Sequence, residues 1–101
     1  MGIFEVTARQ TNVRREADKV KGTLEIEVKN PDFKHTQDFS YPTDGQTRLL
    51  DQDFAIGHIN VVIKEEPHGQ SCITGDVEVK IAGLGTKKDF DRNCVAITEA
   101  V

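Results

Sequence analysis

Val20-Lys21-Gly22-Thr23-Leu24-Glu25-Ile26-Glu27-Val28-Lys29-Asn30 alternates in character at every step. Val20, Gly22, Leu24, Ile26 and Val28 fall on one side of an extended chain, and Lys21, Thr23, Glu25, Glu27 and Lys29 on the other. A helix would scatter the apolar set around its circumference; a strand gathers it on one face. The stretch is therefore read as a half-buried β-strand. Cys72 to Gly83 repeats the pattern, with Ile73, Gly75, Val77, Val79 and Ile81 alternating with Thr74, Asp76, Glu78, Lys80 and Ala82. Between Ala55 and Glu65, Ile59, Val61 and Ile63 share one face, while Ile56 and Val62 lie with His58, Asn60 and Lys64 on the other. Apolar residues on both faces predict a central strand or a second covering surface. Pro67 and Gly69 supply turn chemistry between these two runs, so residues 55–82 are expected to form a long hairpin.

Outward from this centre the signal weakens. Residues 3–9 alternate Phe4, Val6 and Ala8 against Glu5, Thr7 and Arg9. Residues 33–41 alternate Phe33, His35, Gln37, Phe39 and Tyr41 against Lys34, Thr36, Asp38 and Ser40, after a break at Asn30-Pro31-Asp32. Residues 90–100 are open to two registers: Val95, Ile97 and Val101 inward, or Cys94 and Ala96 inward. Thr11 to Lys19 is charged and reads as a loop or one helical turn. Pro42-Thr43-Asp44-Gly45 is a turn, and Gln46 to Phe54, with Leu49 and Leu50, reads as a short helix or as cover for a sheet edge.

The expected fold is all-β: an antiparallel two-layer sandwich, alternatively a small barrel, with six or seven strands and at most one short helix. At 101 residues the chain is expected to be a single domain, 1–101. No apolar run approaches the roughly 20 residues of a membrane-spanning helix, so no membrane association is expected. The opening residues lack a basic stretch followed by an apolar one. A cytoplasmic setting is therefore expected, although a mature secreted domain would look the same. With 13 basic against 17 acidic residues the net charge is -4, which gives phosphates no bulk attraction. Arg14-Arg15 and Lys87-Lys88 are isolated pairs, there is no tryptophan, and no nucleic acid is expected as a partner.

Several residue sets carry possible chemistry. Cys72 follows Ser71, and His68 stands four residues upstream, which suggests a small cysteine-dependent enzyme. No glycine-rich elbow supports it. Without an export signal, Cys72 and Cys94 are expected to be free, half-buried thiols rather than a disulfide. Asp51-Gln52-Asp53 and Asp89-Phe90-Asp91 place carboxylates at alternate positions, which hard cations favour. A calcium-dependent sandwich would use Asp51, Asp53, Asp89 and Asp91, provided the two stretches meet at one end. No other cofactor is expected. His35, His58, His68 and the cysteines show no close-spaced pair of the kind zinc sites use. Gly83-Leu84-Gly85-Thr86-Lys87-Lys88 lacks the spacing of a phosphate loop and reads as a flexible turn.

The aromatic strand offers a contact patch: Phe33, His35, Gln37, Phe39 and Tyr41 project to one side, with Tyr41 a rim residue before Pro42. The function expected is accordingly a non-enzymatic binding or protein-interaction module. It would bind a protein partner or itself, with an exposed edge strand pairing between subunits, as in an accessory protein of a phage or mobile element. The calcium-dependent module and the cysteine enzyme are the alternatives.

Overall fold

The computed structural model describes residues 4–81 and 83–99. Ile3, Ala82 and Val101, which the alternation assigned to strands, lie outside the described residues, as does the side chain of Ile81. The order is β1 (Glu5–Glu16), β2 (Lys19–Lys29), β3 (Phe33–Pro42), β4 (Gln46–Phe54), β5 (Gly57–Glu66), β6 (Gln70–Ile81), β7 (Leu84–Asp89) and β8 (Asn93–Ala96). No helix occurs among the described residues, and none is long and apolar enough to cross a membrane. The strands form two antiparallel sheets. One has the order β1-β2-β3; the other has the order β4-β5-β6-β7, with β8 also pairing β6. The all-β, two-sheet architecture is therefore the one the alternation predicts.

The alternation also sets which side of each strand is buried. Val20, Leu24, Ile26 and Val28 of β2 are buried against Ile59, Val61 and Ile63 of β5 and Ile73, Val77 and Val79 of β6. The expected hairpin is formed by β5 and β6, whose ladder runs unbroken from Gly57↔Val79 to Glu66↔Gln70. Gly75 lies in that ladder because nothing larger fits. A Cβ there would stand 2.0 Å from the Asn60 carbonyl oxygen and 3.0 Å from the Phe90 ring. Phe90, buried in the step between β7 and β8, fills the space instead, and its N–H donates to the Gly75 carbonyl.

Three stretches differ from expectation. Thr11 to Lys19 is neither loop nor helical turn up to Glu16: β1 continues through it. One extra residue between Thr11 and Arg14 shifts the register on β2, and Asn12 takes a positive φ of 54° there. This bulge breaks the period-two signal while keeping Val13 buried. Gln46 to Phe54 is β4, also bulged, between Arg48 and Leu50, which is why two leucines stand side by side in sequence. Leu84 to Asp89 is β7 rather than a flexible turn, and it brings the strands to eight where six or seven were expected.

The two sheets are tied at the β1 side. Thr98 donates to the Val13 carbonyl (3.1 Å) and accepts from the Arg15 N–H (2.9 Å), a parallel bridge between the end of the chain and β1. Arg15 spans both layers: it holds Glu65 of β5 at 3.0 Å and Glu99 at 2.7 Å. Between the sheets runs one buried polar chain. Tyr41 Oη donates to Ser71 Oγ (2.8 Å), Ser71 Oγ donates to Gln10 Oε1 (2.6 Å), and Gln10 Nε2 donates to the Ser71 carbonyl (2.9 Å). Gln10 Nε2 also reaches Asn93. Ile97 faces the core and Val95 packs against it, which settles the register of the last segment.

Candidate functional site

The sheets leave four lateral margins, and sequence decides how each meets solvent. β1 is bulged and bridged by Thr98. β4 is bulged and carries Arg48, Asp51 and Asp53. The fourth margin is divided between β7, six residues with Lys87 and Lys88, and β8, four residues. Bulges, shortness and lysines all oppose pairing with another chain. β3 carries Lys34 and ends on Pro42, but it is neither bulged nor short. Its ladder with β2 runs without a shift from Val28↔Phe33 to Lys19↔Pro42, so β3 presents ten regular residues with one side unpaired. Ordinary alternation points Lys34, Thr36, Asp38 and Ser40 outward, all exposed.

The expected aromatic patch divides along this strand. Phe39 and Tyr41 are core residues, 6% and 0% exposed, so Tyr41 is not a rim residue. Its ring is drawn inside because its hydroxyl finds Ser71 across the layers, and burial holds that phenol above its ordinary range. Phe33, His35 and Gln37 lie at the seam between β3 and β4. The Phe54 ring stands 4.8 Å from His35 and 5.5 Å from Phe33, and His35 Nε2 donates to Gln37 Oε1 at 2.7 Å. The seam is thus lined by half-buried groups that already have partners, and the free hydrogen-bonding capacity lies on the β3 backbone.

The four aspartates do not converge. Asp51, Asn60, Asp76 and Asp89 form one row across the second sheet, on β4, β5, β6 and β7. At roughly 4.8 Å per strand, Asp51 and Asp89 are about 14 Å apart. Asp91 follows β7 and is exposed. Asp51 and Asp53 are instead joined by His58. His58 Nε2 meets Asp51 at 2.6 Å, and Nδ1 meets Asp53 at 2.7 Å. Two carboxylate acceptors at the two ring nitrogens favour the protonated ring. The hydrogen bonds to Asp53 and Asp51 raise its pKa above the usual histidine value, and the same contact lowers that of Asp53. Register Asp53↔His58 across a short hairpin was the signal available for this cluster. Among the described residues no group of three or more side chains is arranged to hold a metal ion.

Cys72 and Cys94 face each other across β6 and β8 and form a disulfide, Cα to Cα 4.1 Å. The expectation of free thiols is overturned, because the register that opposes them is set by strands a sequence does not pair for the reader. Cys72 is not an available nucleophile in this state, and His68 occupies the β5–β6 turn with φ 73°. A surface hollow of about 450 Å³ lies beside the β1 bulge. Its charged side chains are already engaged: Arg14 and Lys21 with Glu16, Asp38 with Thr23.

These features define an all-β, two-sheet fold in which, among the described residues, β3 is the one long and unbulged edge strand. Comparison of the chain with protein-family models, with curated proteins and with solved structures found no match.

Proposed function

We propose that this chain is a non-enzymatic protein-interaction module that accepts an extended partner segment on the free edge of β3. The observation that carries the reading is the contrast among the margins: three are bulged, bridged or short, and β3 is long and regular. Natural sheets blunt the edges they do not use, and strand addition lets main-chain hydrogen bonds supply affinity while alternate side chains supply selectivity. A synthetic peptide carrying residues 32–41 is the direct probe. In hydrogen–deuterium exchange, excess peptide is expected to slow the amides of β3 and leave those of β4 and β7 unchanged. Unaltered β3 exchange at millimolar peptide would refute strand addition.

The Cys72–Cys94 bridge further supports work in an oxidising compartment, in place of the cytoplasm expected from the opening residues. Protein taken from its native host and alkylated without reductant is expected to resist labelling at both cysteines. Full labelling would restore the reducing compartment.

A further inference from the structure

Resting on that reading, we infer that the partner is a second copy of this chain, paired antiparallel through β3 about a two-fold axis at Thr36. The case rests on charge and face together. With Thr36 opposite its symmetry mate, Lys34 stands opposite Asp38 of the other copy, and Asp38 opposite its Lys34, so two opposite-charge pairs add to the contacts that Lys34 makes with Glu25 (3.5 Å) and Asp38 with Thr23 (3.0 Å) in each chain. His35 falls opposite Gln37, which is already its hydrogen-bond partner within one chain at 2.7 Å. Phe33 falls opposite Phe39 on the inner face.

Neighbouring registers lose this match. Moving the axis to His35 puts Asp38 against Asp32, two like charges. Moving it to Gln37 puts Lys34 against Ser40 and leaves Asp38 against Thr36. A shift that displaces the pairing by one residue sets the inner face of one copy against the outer face of the other. The sequence of β3 is therefore self-complementary in one register, as an isologous contact requires. The two three-stranded sheets would join into one of six strands.

Sedimentation velocity over a concentration series, with the charge-reversal variants Lys34→Asp, Asp38→Lys and the double reversal, tests this. Both residues are exposed, and thermal unfolding of each variant checks that it is folded. The expected result is a concentration-dependent dimer in the native chain. Each single reversal should weaken it at least tenfold, and the double reversal should restore it. A monomer at all concentrations, or single reversals without effect, overturns the second-copy assignment. The exchange experiment separates this from the wider reading: peptide protection of β3 in a chain that stays monomeric leaves strand addition standing and removes self-pairing, while failure of both removes both.

Discussion

Ser71 shows how much one small side chain holds. Fully buried, it receives the Tyr41 proton and gives its own to Gln10, so a residue of the second sheet is fixed to two strands of the first. Tyr41→Phe removes one donor and leaves the rest of the chain paired, for an expected loss of about 1 kcal/mol. Gln10→Ala strands the Ser71 hydroxyl, the Ser71 carbonyl and Asn93 together, and the expected loss is about 2–3 kcal/mol. Urea denaturation of both variants checks the order. His58 makes a separate prediction. Its raised pKa means that the folded state gains from its charge fully below pH 6.5, the ordinary value, and loses that gain as pH rises through the folded value. Asp53, lowered, contributes above its ordinary 3.8 and loses its contribution as pH falls through its folded value. The thermal midpoint of the native protein is thus expected to fall as pH rises above 6.5. His58→Gln is expected to show a smaller fall over the same range.

At the scale of the element, what the sequence reveals depends on whether a strand keeps its period. β2, β5 and β6 run without interruption, and their buried faces could be named from alternation alone. β1 and β4 each contain one additional residue, which reverses the apparent facing halfway along and makes a strand look like a loop or a helix. β7 was hidden for another reason: all six residues are exposed, so no apolar rhythm marks it. The disulfide depends on the register of β6 with β8, strands that do not follow one another in the chain, whereas the His58 cluster follows from the local register of the short β4–β5 hairpin. Two predictions belong here. Gly75→Ala would drive a methyl into the Asn60 carbonyl and against Phe90, and is expected to prevent folding or to cost several kcal/mol. Reduction of Cys72–Cys94, separated by 22 residues, is expected to cost about 3 kcal/mol. β8 and Thr98 should then lose amide protection before β5 and β6 do, because β8 is held to β6 by only three residue pairs besides the bridged one.

At the scale of the molecule, the chain is two successive meanders. The first three strands make one layer and the remaining five make the other, with a core that neither owns. Residues 1–43 and 44–101, produced separately, would each expose an apolar face that only the other covers. Each fragment is expected to be unfolded by circular dichroism, and the mixture to regain β-structure. A fragment that folds by itself would show that the layers are independent. The extents of 51 × 20 × 18 Å reflect the same plan, since strands of up to twelve residues set the long dimension.

The asymmetry among the margins also limits growth. A chain of units propagates only when each unit offers two compatible sides, and among the described residues β3 alone is long and unbulged, while the other margins are bulged, short or bridged by Thr98. Under the proposed strand addition, assembly would end after one step. Even concentrated solutions of the folded protein should stay clear and give no fibril-dye fluorescence.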